Sequence, residues 1–71
     1  MVMNMISYKP MYDTMFRKNI TEYFLIYKCG ISANTLHRMH QGKPITTKTL
    51  DTLCEALDCR VEDILRYEKS E

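Results

Sequence analysis

The sequence predicts a compact all-α domain of five short helices around one core. Apolar residues recur at intervals of three and four along most of the chain, which is the spacing of amphipathic helices. Hydroxyl residues stand at three expected helix starts, Thr21, Ser32 and Thr46, and glycines at two expected helix ends, Gly30 and Gly42. With 71 residues, 45% of them hydrophobic and 27% charged, the chain has the composition of one ordinary globular domain.

Residues 1–9 have weak strand character and are predicted to form an extended N-terminal segment, with Ile6 and Tyr8 on one side. Pro10 fits the first position of helix 1, because its fixed φ suits a helix start and its missing amide hydrogen is not needed there. Apolar residues at helical spacing continue helix 1 to about Lys18: Met11, Tyr12, Met15 and Phe16.

Helices 2 and 3 begin with the same local pattern, eleven residues apart. In each, an aliphatic residue precedes a hydroxyl residue and a leucine follows it by four: Ile20, Thr21 and Leu25, then Ile31, Ser32 and Leu36. The hydroxyl can accept a hydrogen bond from a first-turn amide, and the two apolar residues form a hydrophobic staple. Helix 2 is predicted from the Thr21 cap to about Cys29, and helix 3 from the Ser32 cap to about Gln41.

Gly30 separates the two helices and can adopt the left-handed conformation that ends a helix sharply. Two short helices joined by such a tight turn make a helix-turn-helix, a motif whose second helix usually contacts DNA bases. Helices 2 and 3 are therefore predicted to form this motif.

The staple pattern recurs at Ile45, Thr46 and Leu50, where helix 4 is predicted to begin. Helix 5 is predicted to be short, from about Val61 to Arg66, and residues 67–71 to be a polar tail that frays. The helical domain would thus span residues 10–66. Its predicted core is the set of residues at inward positions: Met11, Met15, Leu25, Cys29, Ile31, Leu36, Met39, Ile45, Leu50, Leu53, Cys54, Leu57, Val61 and Ile64.

The net charge of +1 conceals a strong asymmetry along the chain. Residues 28–50 carry four basic side chains, Lys28, Arg38, Lys43 and Lys48, and no acidic one, whereas residues 51–71 carry seven acids and three bases. A polyanionic partner needs positive charge on one face rather than a high total. The basic segment contains helix 3, so the charge pattern favours a nucleic-acid partner over chance segregation.

The remaining residues favour no catalytic or metal chemistry. The three cysteines, in a chain without a recognisable secretion signal, suggest reduced core thiols in a cytoplasmic protein. A four-ligand zinc set exists on paper (His37, His40, Cys54 and Cys59), but the cysteine spacing differs from common zinc motifs. No nucleophile, base and orienting group form a coherent set. We therefore predict no enzyme, no cofactor, no metal, no small-molecule substrate and no membrane span.

The chain resembles the Cro/phage-repressor-like helix-turn-helix regulators, also called the xenobiotic-response-element family. The resemblance covers about residues 10–66 and rests on Leu25, the turn Gly30-Ile31-Ser32, Leu36, Gly42 and the closing stretch 50–65. The segment Ile6-Ser7-Tyr8-Lys9-Pro10 also resembles the opening of a small stand-alone branch of that family. The resemblance implies a lambda-repressor-like fold whose helix 3 enters the major groove of double-stranded DNA.

The resemblance also implies which residues contact DNA. The base-reading candidates lie on helix 3: Ala33, Asn34, Thr35, His37 and Arg38. Asparagine can bond adenine, arginine can bond guanine, and a methyl group can pack on thymine. The candidates for contact with the DNA backbone are Thr21, Glu22, Ser32, Gln41, Lys43 and Lys48.

Two features depart from the family pattern. Glu22 stands where the family usually has a phosphate-binding glutamine, and its negative charge should repel DNA. Tyr23 and Tyr27 are predicted to point away from the core on helix 2. The two rings would either lie over neighbouring segments or form a surface for a dimer or another partner.

The primary hypothesis is a small DNA-binding transcriptional regulator, expected to be a repressor that acts as a homodimer. The alternative is a protein-interaction module, or an antitoxin-like partner protein, that keeps the helix-turn-helix fold. The dimer interface is predicted at the terminal segments, with Ile6–Lys9 and Leu65–Glu68 as strand-like edges that need covering. The aromatic face of Tyr23, Phe24 and Tyr27 is the other candidate.

Overall fold

A computed structural model describes residues 4–69. Four α-helices are flanked by two short strands: β1 (Asn4–Ser7), α1 (Lys9–Lys18), α2 (Glu22–Tyr27), α3 (Ala33–His40), α4 (Thr47–Leu57) and β2 (Arg66–Lys69), with a 3₁₀ turn at Val61–Asp63. The helix-turn-helix formed by α2 and α3 is confirmed, with the two helices joined around Gly30.

All three predicted helix caps are present. The Thr21 hydroxyl accepts a hydrogen bond from the Phe24 amide at 3.1 Å. The Ser32 hydroxyl accepts bonds from the amides of Asn34 and Thr35, at 3.1 and 3.4 Å. Thr46 accepts from the Thr49 amide at 3.1 Å. Each cap satisfies an amide of the first turn that has no partner within its own helix.

Glycine and two short polar residues form the tight turns. Gly30 and Gly42 have φ of 77° and 75°, as predicted from their positions after α2 and α3. Asn19 and Asp58 also have positive φ and end α1 and α4. These two residue types tolerate the left-handed conformation better than other side chains do, because their short polar groups can bond locally.

The core lies between the four helices and the C-terminal turn. Its buried apolar residues are Tyr8, Met11, Met15, Leu25, Ile31, Leu36, Met39, Leu53, Leu57 and Ile64. Most of the predicted core is confirmed, and Cys29, Ile45, Leu50 and Cys54 pack against it half-buried. Val61 was predicted to be buried but is 47% exposed, because the 3₁₀ turn directs it outward. Tyr8 and Thr14 are buried although the sequence pattern did not place them in the core.

The predicted fifth helix is wrong, and the reason is tertiary. The last four carbonyls of a short helix have no partner within it, so those of Asp63 and Ile64 can bond another element. Helix α1 supplies both donors: the Thr14 hydroxyl donates to Asp63 O at 2.8 Å, and the Met11 amide donates to Ile64 O at 3.1 Å. These bonds hold the segment against α1, and the residues that follow pair with β1 from Arg66 onward, so the helical path stops after one 3₁₀ turn.

The chain continues from that turn into β2, which pairs antiparallel with β1. Ile6 lies opposite Tyr67, and Met5 lies opposite Glu68. The segment 67–71, predicted to be a fraying tail, thus contributes residues 67–69 to a strand, while residues 70 and 71 lie outside the described residues. Residues 1–3 of the predicted N-terminal segment also lie outside them. The fold is therefore four α-helices plus a terminal two-stranded ribbon, not five helices.

Replacing Gly30 tests the turn of the helix-turn-helix. A Cβ atom at this position meets no other atom within 4 Å, so the cost of a side chain arises from positive φ alone. We expect Gly30→Val to destabilise the fold by about 1–2 kcal/mol or more, and Gly30→Asn by clearly less. Thermal unfolding of both variants measures the difference, and equal melting temperatures would contradict the left-handed turn.

Replacing Thr14 tests the contact that ends the helical path. Thr14→Val keeps the side-chain shape but removes both the donor to Asp63 O and the acceptor of the Arg17 guanidinium, at an expected cost of about 1–3 kcal/mol. Thr52→Val is the matched control, because the Thr52 hydroxyl bonds only Lys48 O within its own helix, and we expect a change within about 0.5 kcal/mol. If urea unfolding shows the same loss of unfolding free energy in both variants, the Thr14 hydroxyl contributes no more than an ordinary hydroxyl within a helix.

Candidate nucleic-acid interface

Helix α3 is buried on one side and exposed on the other. Leu36 and Met39 are each 2% exposed and anchor the helix in the core. The opposite side carries the base-reading candidates Ala33, Asn34, His37 and Arg38, all exposed, with Thr35 half-buried beside them. The sequence candidates on α3 therefore lie together on one accessible face.

Two shallow depressions flank this face. One lies between α3 and the start of α4 and is lined by Thr35, Arg38, Pro44, Ile45, Thr46 and Thr49. The other lies at the motif's turn and is lined by Gly30, Ile31, Ser32, Thr35, Lys48, Thr49 and Thr52. Thr35 and Thr49 line both depressions, so the two form one continuous surface. This surface brings Ser32 and Lys48 close to the exposed face of α3, although they are distant in sequence.

The capping hydroxyls at the starts of α2 and α3 have a second capacity. Thr21 and Ser32 are exposed, and each oxygen accepts amide hydrogen bonds from its own helix. Because a hydroxyl also carries one hydrogen, each remains able to donate to an anionic oxygen. Helix N-termini carry partial positive charge, which favours phosphate at the same place.

The basic side chains near α3 are free of acidic partners. Lys28, Arg38, Lys43 and Lys48 are all exposed. Within residues 4–69, the close acid–base pairs are Arg66 with Glu68 and His40 with Glu22. The four cations of residues 28–50 are therefore available to an external anion.

Tyr8 holds the loop that follows α3. Its buried hydroxyl donates to Lys43 O at 2.7 Å, and the Lys43 amide donates to Arg38 O at 3.0 Å. Burial raises the pKa of Tyr8 above its ordinary value, while the positive charge of Arg38 lowers it by less. Tyr8 thus remains a neutral donor, and it links the N-terminal segment to two basic residues of the site. In the sequence, the signal that could have predicted this role was the position of Ile6 and Tyr8 on one side of an extended segment.

Glu22 is held by a residue that the sequence analysis did not include among the site residues. Its Oε2 atom lies 2.6 Å from Nε2 of His40, at the C-terminal end of α3. The other ring nitrogen of His40, Nδ1, lies 3.3 Å from the Tyr12 hydroxyl. The Tyr12 and His40 rings also stack, with centroids 5.1 Å apart and planes 15° apart. This cluster, Tyr12–His40–Glu22, joins three helices.

The predicted outward direction of Tyr23 and Tyr27 is confirmed. Each is 68% exposed, so neither ring lies over a neighbouring segment, and the two rings contact each other with centroids 4.6 Å apart. Phe24 is 41% exposed beside them. An apolar surface on α2 is therefore accessible.

The structure does not assemble the zinc set considered from sequence. Within residues 4–69, no three histidine, cysteine or acidic side chains are placed to hold a metal ion. His40 faces Glu22 and Tyr12 instead, and Cys54 and Cys59 are half-buried free thiols. Burial raises the pKa of both thiols, which disfavours the thiolate. None of the helices in the described part of the chain is both long and apolar enough for a membrane span.

Comparisons with known proteins agree with this geometry. A family model of the Cro/C1-type helix-turn-helix DNA-binding domain matches residues 13–70. A crystal structure of the transcriptional regulator VanUg, form II, is similar to this chain with a TM-score of 0.84 and 19% sequence identity, covering 94% of this chain and 89% of that one. At that identity the similarity shows the fold alone. No curated protein matches the chain.

Proposed function

The chain belongs to the Cro/C1-type helix-turn-helix DNA-binding domain family, and from this premise we propose that it is a sequence-specific transcriptional repressor whose α3 binds the major groove. The observation that carries the proposal is the exposed polar face of α3, flanked by basic side chains that have no close acidic partner within residues 4–69. DNA binding requires such a face, because phosphate contacts supply affinity and base contacts supply specificity.

In this proposal five residues of α3 read bases: Ala33, Asn34, Thr35, His37 and Arg38. Asn34 suits adenine and Arg38 suits guanine, since each side chain can make two hydrogen bonds to the base edge. The methyl group of Ala33 suits the methyl group of thymine. Support comes from their shared exposure opposite the buried Leu36 and Met39.

The phosphate contacts would come from residues around α3. Thr21 and Ser32 would donate from helix N-termini, and Gln41, Lys43 and Lys48 would contact the backbone further along. Lys43 is supported best, because Tyr8 fixes its backbone next to the end of α3. Glu22, the first residue of α2, is the single acid among these candidates.

We further propose that the regulator acts as a homodimer through the terminal ribbon. Such a small reading helix contacts few base pairs, and regulators of this kind gain specificity by pairing two helices about one DNA turn apart. Ile6 and Tyr67 face each other across the ribbon and are 42% and 60% exposed. A two-stranded ribbon is marginal by itself, and its open edges favour pairing with a second copy.

The alternative function is a protein-interaction module on the same fold. The observation in its favour is the exposed aromatic surface of Tyr23, Phe24 and Tyr27. A helix in a small monomer rarely leaves three aromatic rings accessible without a partner. The exposed basic side chains near α3 favour DNA as the partner, because a protein bound to the aromatic surface of α2 would leave these side chains without a function.

Two substitutions separate base reading from phosphate binding. Arg38→Ala should weaken binding to the selected operator by about 1–3 kcal/mol and relax the preference at one guanine. Lys43→Ala should weaken binding to every duplex and reduce the steepness of its salt dependence. Gel shifts on selected and mixed-sequence duplexes, in a series of salt concentrations, measure both effects. If the parent chain binds neither duplex, the DNA-binding proposal fails and the interaction module is favoured.

The dimer is tested by sedimentation of two double variants. Ile6→Ser with Tyr67→Ser should dissociate the dimer, whereas Tyr23→Ala with Tyr27→Ala should leave it intact. Substitution is preferable to deleting residues 1–8, because that deletion also removes the buried Tyr8. If the parent chain sediments as a monomer both with and without DNA, the dimer proposal is refuted. If the dimer is lost only in the Tyr23→Ala, Tyr27→Ala variant, the interface lies on α2 instead.

A further inference from the structure

Glu22 poses an electrostatic problem for the proposed interface. It is the first residue of α2, next to the Thr21 cap, where a phosphate is expected. Its carboxylate is half-buried and directed at Nε2 of His40, 2.6 Å away. We propose that His40 is a positioning residue of the DNA interface, which neutralises Glu22 when protonated, so that DNA binding takes up a proton at this pair. The inference rests on the proposed DNA-binding function.

The geometry accommodates both charge states of His40. In the neutral ring, Nε2–H can donate to Glu22 while Nδ1 accepts from the Tyr12 hydroxyl. In the charged ring, both nitrogens donate, and the Tyr12 oxygen accepts instead. Protonation therefore requires only a rotation of one hydroxyl hydrogen. The stacked Tyr12 ring holds the imidazole in the same place throughout.

Histidine is the side-chain type whose charge changes between about pH 5 and 8, and His40 is the histidine of this cluster. Burial raises the pKa of Tyr12, and the charge of Glu22 and the nearby Tyr8 raise it further, so Tyr12 remains neutral. Other charged or titratable groups around His40 lie in the groove that it shares with β1, α1 and β2, or on its own helix: Tyr8, Lys9, Glu68, His37 and Arg38. Of these, His37 is the other histidine, so it requires a control.

The sign of the effect follows from charge. Above the titration range the pair carries one negative charge, and below it the pair is neutral. A phosphate beside the pair therefore favours the protonated state, and DNA affinity should rise as pH falls. One unit charge about 5 Å from a phosphate in water changes affinity by roughly fourfold. At most one proton per chain is taken up.

The experiment measures affinity for mixed-sequence duplex DNA at about pH 8 and about pH 5.5, across the histidine titration range. The parent chain should bind roughly fourfold more tightly at the lower pH. Because His37 is itself a base-reading candidate, the comparison is made in a His37→Gln background, where His40 is the one remaining histidine. That chain should still bind more tightly as pH falls, and adding His40→Gln should abolish most of the increase. Glu22→Gln should bind DNA more tightly than the parent at pH 8, because the negative charge is gone. Any increase in its affinity as pH falls should occur at a lower pH than in the parent, because the imidazolium has lost its carboxylate partner.

A spectroscopic readout separates neutralisation from a merely structural role. The ring protons of His40, followed by NMR, should titrate at higher pH in the DNA complex than in the free chain. Circular dichroism checks that each variant is folded. If His40→Gln keeps the full pH rise, or if His40 titrates identically in both states, the inference is overturned while DNA binding stands. If the parent shows no salt-dependent DNA binding at either pH, the proposed function and this inference fail together.

Discussion

The hydrogen bonds from helix α1 to the carbonyls of Asp63 and Ile64 organise the whole molecule. Thr14 and Met11 bind these two carbonyls at the end of the 3₁₀ turn and so hold the C-terminal segment against α1. The segment that follows becomes β2 and pairs with β1, which brings the two ends of the chain together. A domain of this size buries only a small surface, so contacts between distant segments such as these matter for its stability.

The ribbon in turn positions the proposed interface. The residue between β1 and α1 is Tyr8, whose hydroxyl holds the backbone of Lys43. On the next turn of α1, Tyr12 stacks on His40 at the end of α3. Helix α1 therefore contacts the C-terminal turn through Thr14 and Met11, and α3 through Tyr12. A change in the ribbon or in α1 should consequently affect DNA binding without touching a residue that contacts DNA.

Glu22 illustrates how a chain can depart from a family pattern and retain the fold. Taken alone, an acid at the start of α2 opposes binding to phosphate and favours a protein partner. Its contact with His40 changes that interpretation, because the net charge of a carboxylate–histidine pair depends on whether the imidazole is protonated. In the inference proposed above, this pair makes DNA binding dependent on pH rather than preventing it. The aromatic surface of Tyr23 and Tyr27 has no comparable partner among the described residues, and it remains the main argument for the alternative function.

The sequence by itself determined the local features: the caps at Thr21, Ser32 and Thr46, the glycine turns and the exposed face of α3. Each depends on residues within about one helical turn, where spacing and side-chain chemistry suffice. Only the tertiary structure decided the end of the helical path at Asp63, the burial of Tyr8 and the contact of Glu22 with His40. These contacts join residues 49, 35 and 18 positions apart, and periodicity carries no information about which distant group will use a given carbonyl or carboxylate.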